Sequence, residues 1–308
     1  MRGFILAAGF GTRLKPLTQH IPKALVPVCG EPLLGRNLKH LHNSGVFSSL
    51  GVNSHYLNHL VEEYKEQSTV EFELFHEKEE IRGTGGALDF AREFLRGDET
   101  FFVANVDILN NFDIAQMARS FEKSGRICSL VAFPANEQGT VLYDSKSSDY
   151  LGVRSEEASF PQASRADFTG AAFYRREFLD FVGEKDFSII PVWRRAAQKG
   201  FVPGIISPSD SCWWRDIGTP AALAAIHFDV LEGKLDLKLP DEFVLDRQRK
   251  ICSRPHIGHS SVLGPCTWYE PDEVPEGVRV SRCIVLGDGA VKKNTVGSIV
   301  TEWGEIEL

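Results

Sequence analysis

Residues 6 to 28 read LAAGFGTRLKPLTQHIPKALVPV, and the architecture follows from how this stretch is interpreted. An apolar run from Phe4 to Ala8 leads straight into Gly9, Gly11, Thr12 and Arg13, and Lys23 comes ten residues after Arg13. A short continuous apolar run suits a strand buried on both faces. Glycine lets the backbone approach an oxygen closely and adopt positive φ, so successive N–H groups can form an anion nest. Arg13 and Lys23 supply the positive charge that a triphosphate requires. A Rossmann dinucleotide loop fits less well, because Leu14 stands where the third glycine belongs. The Walker A string is missing. A plain structural turn is the remaining alternative, and Thr12, Arg13, Pro16 and the Pro22-Lys23 pair together weigh against it.

The rest of the chain extends this pattern. Its 308 residues suggest about two domains. A net charge of −8 argues against general nucleic-acid or anionic-membrane binding, since either needs a basic face. The six cysteines lack metal or disulfide spacing and read as reduced thiols. No leader or membrane-spanning stretch is read, so a cytoplasmic protein is expected.

Apolar runs at Phe4–Ala8, Ser49–Ser54, Val70–Phe75, Thr100–Ala104 and Ile127–Phe133 alternate with helix-periodic segments. The rhythm predicts an α/β fold, a Rossmann-like and mostly parallel sheet flanked by helices. Short strands at Thr140–Tyr143, Gly152–Arg154 and Ala171–Tyr174 suggest an antiparallel insertion. Helices are expected over Phe187–Lys199 and Thr219–Leu231. From residue 234 the composition changes: Lys234–Leu239 alternates, and fragments such as Ile257-Gly258, Leu263-Gly264 and Leu286-Gly287 place an apolar residue before glycine at loose hexapeptide intervals. A short left-handed β-helix is the first reading and a loose β-rich tail the alternative. The expected division is 1–233 and 234–308.

The 6–28 segment resembles the N-terminal signature of sugar-1-phosphate nucleotidyltransferases, which runs roughly L-A-A-G-x-G-T-R-L-x-P-L-T-x-x-x-P-K-x-L-x-P-V. Nearly every position matches. The resemblance implies the reaction of an NTP with a sugar 1-phosphate to give an NDP-sugar and pyrophosphate. Displacement at phosphorus needs cations near the α-phosphate, so carboxylates for Mg²⁺ should sit at strand ends beside the phosphate loop. Asp107 follows the strand Phe101–Ala104 and matches the aspartate of the family's V-x-G-D, with Val106 in place of glycine. Asp216 lies in Arg215-Asp216-Ile217-Gly218-Thr219-Pro220, which matches D-x-G-T-P. Arg13 is assigned to the triphosphate, and Lys23 to the α-phosphate or the sugar phosphate. Capping is the bland explanation for either aspartate, and Asp113 is better placed than Asp107 to cap the next helix.

The resemblance also implies base or ribose contacts from Gly85 and Gly86 of the Arg82-Gly83-Thr84-Gly85-Gly86 loop, opposed by Leu6, Ala8 and Gly9, with Gly11 and Thr12 on the phosphates. Sugar contacts fall to Gly152 and to Thr169 and Gly170, which match the family's Y-G-V and T/S-G-I strings. Many relatives carry Glu-Lys-Pro between those strands. Here Ser159-Phe160-Pro161-Gln162 stands there, and Arg154 or Arg165 is the candidate substitute. The Gly-Thr-Gly-Gly loop and the tail favour a mannose-1-phosphate guanylyltransferase-like enzyme. The absent Glu-Lys-Pro points to N-acetylmuramate-1-phosphate uridylyltransferases. A phosphocholine cytidylyltransferase-like enzyme and a non-catalytic NDP-sugar-binding subunit remain open. In such relatives the tail commonly makes oligomer contacts. Trp213-Trp214 reads mainly as core, His40-Leu41-His42 as a solvent-facing helix, and Glu77–Glu80 as a solvated turn.

Overall fold

The computed structural model describes residues 1–135, 139–257, 263–289 and 291–308. Gly258, one of the glycines in the proposed hexapeptide pattern, lies outside the described residues. The described residues form two compact units: residues 1–9 with 37–214, and residues 10–36 with 215–308.

The first unit is built on one nine-stranded sheet. Its strands are β1 (Arg2–Leu6), β2 (Ser49–Ser54), β3 (Glu73–His76), β4 (Thr100–Asn105), β5 (Cys128–Ala135), β6 (Val141–Tyr143), β7 (Tyr150–Val153), β8 (Ser164–Arg175) and β9 (Gly204–Ile206). Strand β1 lies between β2 and β4 and is parallel to both, and β3 extends the parallel set beyond β2. Burial on both faces explains why β1 and β4 are continuous apolar runs rather than alternating ones. The long β8 is antiparallel to β4, β5 and β6, and β7 adds antiparallel to β6. The antiparallel insertion read from residues 140–175 is therefore part of the main sheet.

Two helices come early in the chain, α1 (Leu33–Asn43) and α2 (Asn58–Gln67). Others cover both faces of the sheet. Phe4, Phe101, Val103 and Tyr174 point toward α3 (Gly83–Phe90), α4 (Arg92–Leu95) and α6 (Ile189–Gln198), whose Leu88, Leu95 and Trp193 complete that core. On the opposite face Phe102 and Phe173 stack with Phe47 and with Phe121 of α5 (Ile114–Ser124). Asp113 caps α5 by accepting from Gln116 N at 2.8 Å, and Gly125 ends the helix at positive φ.

The second unit contains α7 (Pro220–Leu231) and a β-rich region with its own sheet. Thr219 caps α7 by accepting from Ala222 N at 3.1 Å, and Pro220 occupies the first turn, where its missing N–H costs nothing. Strands β10 (Ile251–Ser253), β11 (Thr267–Tyr269), β12 (Ile284–Val285) and β13 (Ser298–Thr301) pair in parallel. Ile251 faces Thr267, Trp268 faces Ile284, and Ile284 faces Ile299, so each rung lies about sixteen residues past the last. Val280 and Thr295 make a second parallel ladder with a similar step. Tyr269, Val280, Val285 and Val300 fill the interior. Lys234–Leu239 forms no strand, although its burial alternates as the sequence does, with Leu235 buried, Leu237 and Leu239 half-buried and the residues between them exposed.

Candidate active site

In the first unit the chain runs from β1 outward to β2 and β3, then returns to the other side of β1 as β4. The carboxyl ends of β1 and β4 therefore flank the point where strand order reverses, and open α/β sheets bind ligands there. Leu6 ends β1, and Ala8 and Gly9 follow. A Cβ on Gly9 would stand in open space, so packing does not require glycine at this position. Asn105 ends β4, and half-buried Asp107 lies in the turn just beyond it.

Across from Asn105, β8 carries a bulge between Phe168 and Ala171. Gly170 sits in it at φ 78°, and a Cβ there would approach Asn105 Nδ2 to 2.8 Å. Bulges of this kind re-aim side chains beside binding sites. Thr169 is fully buried and its hydroxyl donates to Val131 O at 2.8 Å, which turns it inward. Its neighbours Phe168 and Gly170 line a cleft of about 350 Å³, counting the space open to solvent, with Leu6, Thr84, Asn105 and Trp193. Gly152 makes room for the Glu156 carboxylate, which accepts from Val153 N and pairs with Arg194 at 2.7 Å. Of the two arginines considered for the missing lysine, Arg165 is engaged by Glu157 through Nε at 2.9 Å, and Arg154 is exposed.

The glycine loop that opens α3 has a packing partner that its sequence did not announce. A Cβ on Gly83 would come within 2.2 Å of Phe187 O, and one on Gly85 within 2.4 Å of Asp186 O. Gly85 N donates to Phe187 O, and Ile189 N donates to Thr84 Oγ1. Residues 186–189 are thus seated on the loop. Gly86 faces Arg82 Cβ at 3.0 Å instead.

The second unit holds the rest of the signature. Gly11 takes φ 62°, and its carbonyl accepts from Thr18 Oγ1 and Leu14 N. A Cβ on Gly11 would meet Thr18 Cγ2 at 2.8 Å and Lys23 Cβ at 3.0 Å, so the turn and the lysine are packed together. Thr12 starts a short helical turn that ends at Leu14. Lys23 is buried, 9% exposed. Arg13 and Asp216 are about 200 residues apart in sequence, yet Arg13 Nη2 lies 3.9 Å from Asp216 Oδ2. Both side chains are well exposed, which makes the pair worth little as a stabilising bridge. The guanidinium passes over Gly218, the glycine of the D-x-G-T-P match.

Arg13, Lys23, Gly11, Thr12 and Asp216 thus belong to one unit, and Leu6, Ala8, Gly9, Gly85, Gly86, Asp107, Gly152, Thr169 and Gly170 to the other. No group of three or more His, Cys, Asp or Glu side chains able to hold a metal occurs among the described residues. Mg²⁺ needs less than that: it takes one or two carboxylates plus phosphate oxygens and keeps several waters. Asp107, at the strand-end crevice of the first unit, is a hard oxygen donor of the required kind, and so, taken by itself, is the exposed Asp216 of the second unit.

Three readings change. Glu77 is not a solvated turn residue: it is 1% exposed, and both carboxylate oxygens accept hydrogen bonds, from Asn53 Nδ2 and Arg82 N, each at 2.7 Å. Nothing in the charged string EKEE marks one member as buried. His40 is half-buried, and burial holds its pKa below the usual imidazole value. Trp213 and Trp214 are half-exposed rather than core, and Trp213 N donates to Asn111 Oδ1 at 2.7 Å.

A sheet of this order, with Leu6 and Asp107 at the switch point, defines a doubly wound α/β protein. The nucleotidyl transferase family model matches residues 2–233, and the chain belongs to that family. Mannose-1-phosphate guanyltransferase beta-A of Xenopus laevis is 31% identical over 228 residues, covering 71% of this chain and 62% of that protein. The chain thus spans somewhat less than two thirds of that relative. Mannose-1-phosphate guanylyltransferase 1 of Arabidopsis thaliana is 26% identical over 333 residues, covering 100% of this chain and 89% of its own. Among solved structures, HddC from Yersinia pseudotuberculosis complexed with GMP-PN superposes with a TM-score of 0.58 at 20% identity, covering 73% of this chain and 97% of that one, a likeness of fold. No helix among the described residues is long and apolar enough to cross a membrane.

Proposed function

We propose that this protein joins an NTP to a sugar 1-phosphate, releasing pyrophosphate, and that its preferred pair is GTP and mannose 1-phosphate. The observation that carries the reading is the approach of Arg13 to Asp216 over Gly218, because two distant motifs with no packing need for one another converge there. The guanylyltransferase names of the relatives support the choice of base and sugar.

In this reading the turn from Ala8 to Thr12 wraps the phosphates with backbone N–H groups. Arg13 neutralises charge on the triphosphate and on departing pyrophosphate, and Lys23 holds the α-phosphate or the sugar phosphate. Leu6, Gly85 and Gly86 bound the base. The segments around Gly152 and Gly170 border the sugar. The sugar phosphate is ionised at neutral pH, so no side chain has to remove a proton. Asp107 and Asp216 are each a carboxylate that would hold Mg²⁺, which when bound would supply Lewis-acid charge neutralisation on the phosphate oxygens. The parallel tail is a candidate surface for contacts between copies.

A second reading, an N-acetylmuramate-1-phosphate uridylyltransferase-like enzyme, is favoured by the missing Glu-Lys-Pro and by the apolar cleft beneath Phe168, which suits an acyl group better than a hydroxyl. Pyrophosphate release over four NTPs, with mannose, N-acetylglucosamine and N-acetylmuramate 1-phosphates and phosphocholine as acceptors, separates these. The Asp107→Ala variant is expected to lose turnover by about 10³-fold while its melting temperature holds. Full activity in that variant would sink the metal assignment.

A further inference from the structure

The first unit contains a buried polar chain that the reaction described above does not use. Ala7 N donates to Asn53 Oδ1 at 2.6 Å, Asn53 Nδ2 donates to Glu77 Oε1 at 2.7 Å, and Arg82 N donates to Glu77 Oε2 at 2.7 Å. The Glu77 backbone is held too: its N–H donates to Ser54 O, and its carbonyl lies 2.6 Å from His55 Nδ1. Asn53 is 2% exposed and Glu77 1%.

We infer that Glu77 is a positioning residue for the nucleotide, locking the turn after β1 to the loop that opens α3. The two ends of the chain of bonds are the reason. Ala7 immediately precedes Ala8 and Gly9, and Arg82 immediately precedes Gly83 to Gly86. Both are backbone donors at the start of a segment assigned to the nucleotide, so the inference rests on the function proposed above. A buried carboxylate is costly unless each oxygen is satisfied, and an apolar residue would serve folding better if packing were the only task. An apolar side chain leaves Arg82 N without its acceptor and Asn53 without the partner that orients it toward Ala7 N, and lets the two walls drift apart. Displacements of about 1 Å at such walls can cost about 10²-fold in rate.

The bonding scheme has a polarity that can be inverted. In Glu77→Gln one amide oxygen remains, so either Asn53 Nδ2 or Arg82 N faces an N–H₂ group. Adding Asn53→Asp reverses the roles. The carboxylate introduced at position 53 would accept from Ala7 N and from the amide introduced at position 77, and the oxygen of that amide would accept from Arg82 N. The test is calorimetric titration of the full chain with GTP, UTP, CTP and ATP in turn, alongside KM values for NTP and sugar phosphate. Glu77→Gln is expected to weaken NTP binding about 10- to 100-fold and to raise the NTP KM, with the sugar-phosphate KM unchanged. The double variant is expected to return both to the wild-type range. Wild-type binding in Glu77→Gln overturns the inference, and so does a double variant that melts like wild type yet binds poorly. If Glu77→Gln does not fold, the double variant decides alone: native-like binding supports the inference, and poor binding or failure to fold overturns it. A wild-type chain that binds none of the four nucleotides brings down the functional proposal itself, and this inference with it.

Discussion

A methyl group on Gly218 would lie 2.6 Å from Arg13 Nη2 and 2.7 Å from Asp216 Oδ1. Gly218→Ala should therefore push the guanidinium off its position, since the nearest atoms the methyl meets belong to Arg13 and Asp216. The expected result is a fall in kcat of about 10²-fold with little change in melting temperature, read by steady-state pyrophosphate release and a thermal scan. A variant with normal kcat would show that the Arg13–Asp216 approach is incidental. Arg13, Lys23 and Asp216 stand out in the sequence because glycine or proline lies within four residues of each, and the backbone demands of those residues are local; Asp107 stands out only as the aspartate that follows an apolar strand. Glu77 could not. It is one of three glutamates in a four-residue string, and its burial depends on Asn53, which reaches it from another strand. Trp213 and Trp214 failed in the opposite sense: two large aromatic rings read as core, yet both are only half-buried.

At the scale of single elements, α7 carries the clearest consequence. Its His227 is fully buried; Nδ1 contacts Leu223 O at 2.8 Å, and Nε2 accepts from Cys29 N at 2.9 Å. The ring therefore needs to stay neutral. Burial, with Arg36 adding a smaller effect, pulls its pKa from 6.5 to about 4. The folded state binds that proton less readily than the unfolded chain does. The stabilisation is thus complete above pH 6.5 and fades as the pH falls toward 4, by up to about 3 kcal/mol. Glu270, whose pKa burial raises, acts with the opposite sign, because its folded form accepts a proton more easily. Comparing melting temperature against pH for wild type and His227→Gln isolates the histidine. The wild type should lose more stability between pH 7 and 5 than the variant, and parallel curves would refute the assignment. The strands were legible because an apolar run between glycine or proline breaks has few alternatives. The tail was legible only as a loose pattern, since two- to four-residue rungs carry little periodicity.

For the whole molecule, the grouping of residues 10–36 with 215–308 has a direct consequence. The signature segment that bears Arg13 and Lys23 is tied to the C-terminal region by several bonds. Arg36 donates to Val28 O, Cys29 O and Lys238 O. Glu270 accepts from Trp268 Nε1, Gly287 N and Gly30 N. His20 stacks on Trp303 at 5.1 Å, and Phe243 occupies the space beside Gly30. A chain cut after residue 233, where the family match ends, keeps the motifs and loses these partners. It is expected to show no pyrophosphate release and to lose protection from amide exchange across residues 20–36. A truncated chain with full activity would show that the C-terminal region is dispensable to the loop.

The order of strands and helices, and the family to which they lead, could be read from the chain because both are carried by short-range information: apolar runs, glycine turns and caps whose preferences act over a few residues. Which glycines make room for a neighbour, which glutamate is buried, and that residues 10–36 group with residues 215–308 were settled by folding alone. Each of those depends on contacts between segments far apart in sequence, and no local preference encodes which distant surface will arrive.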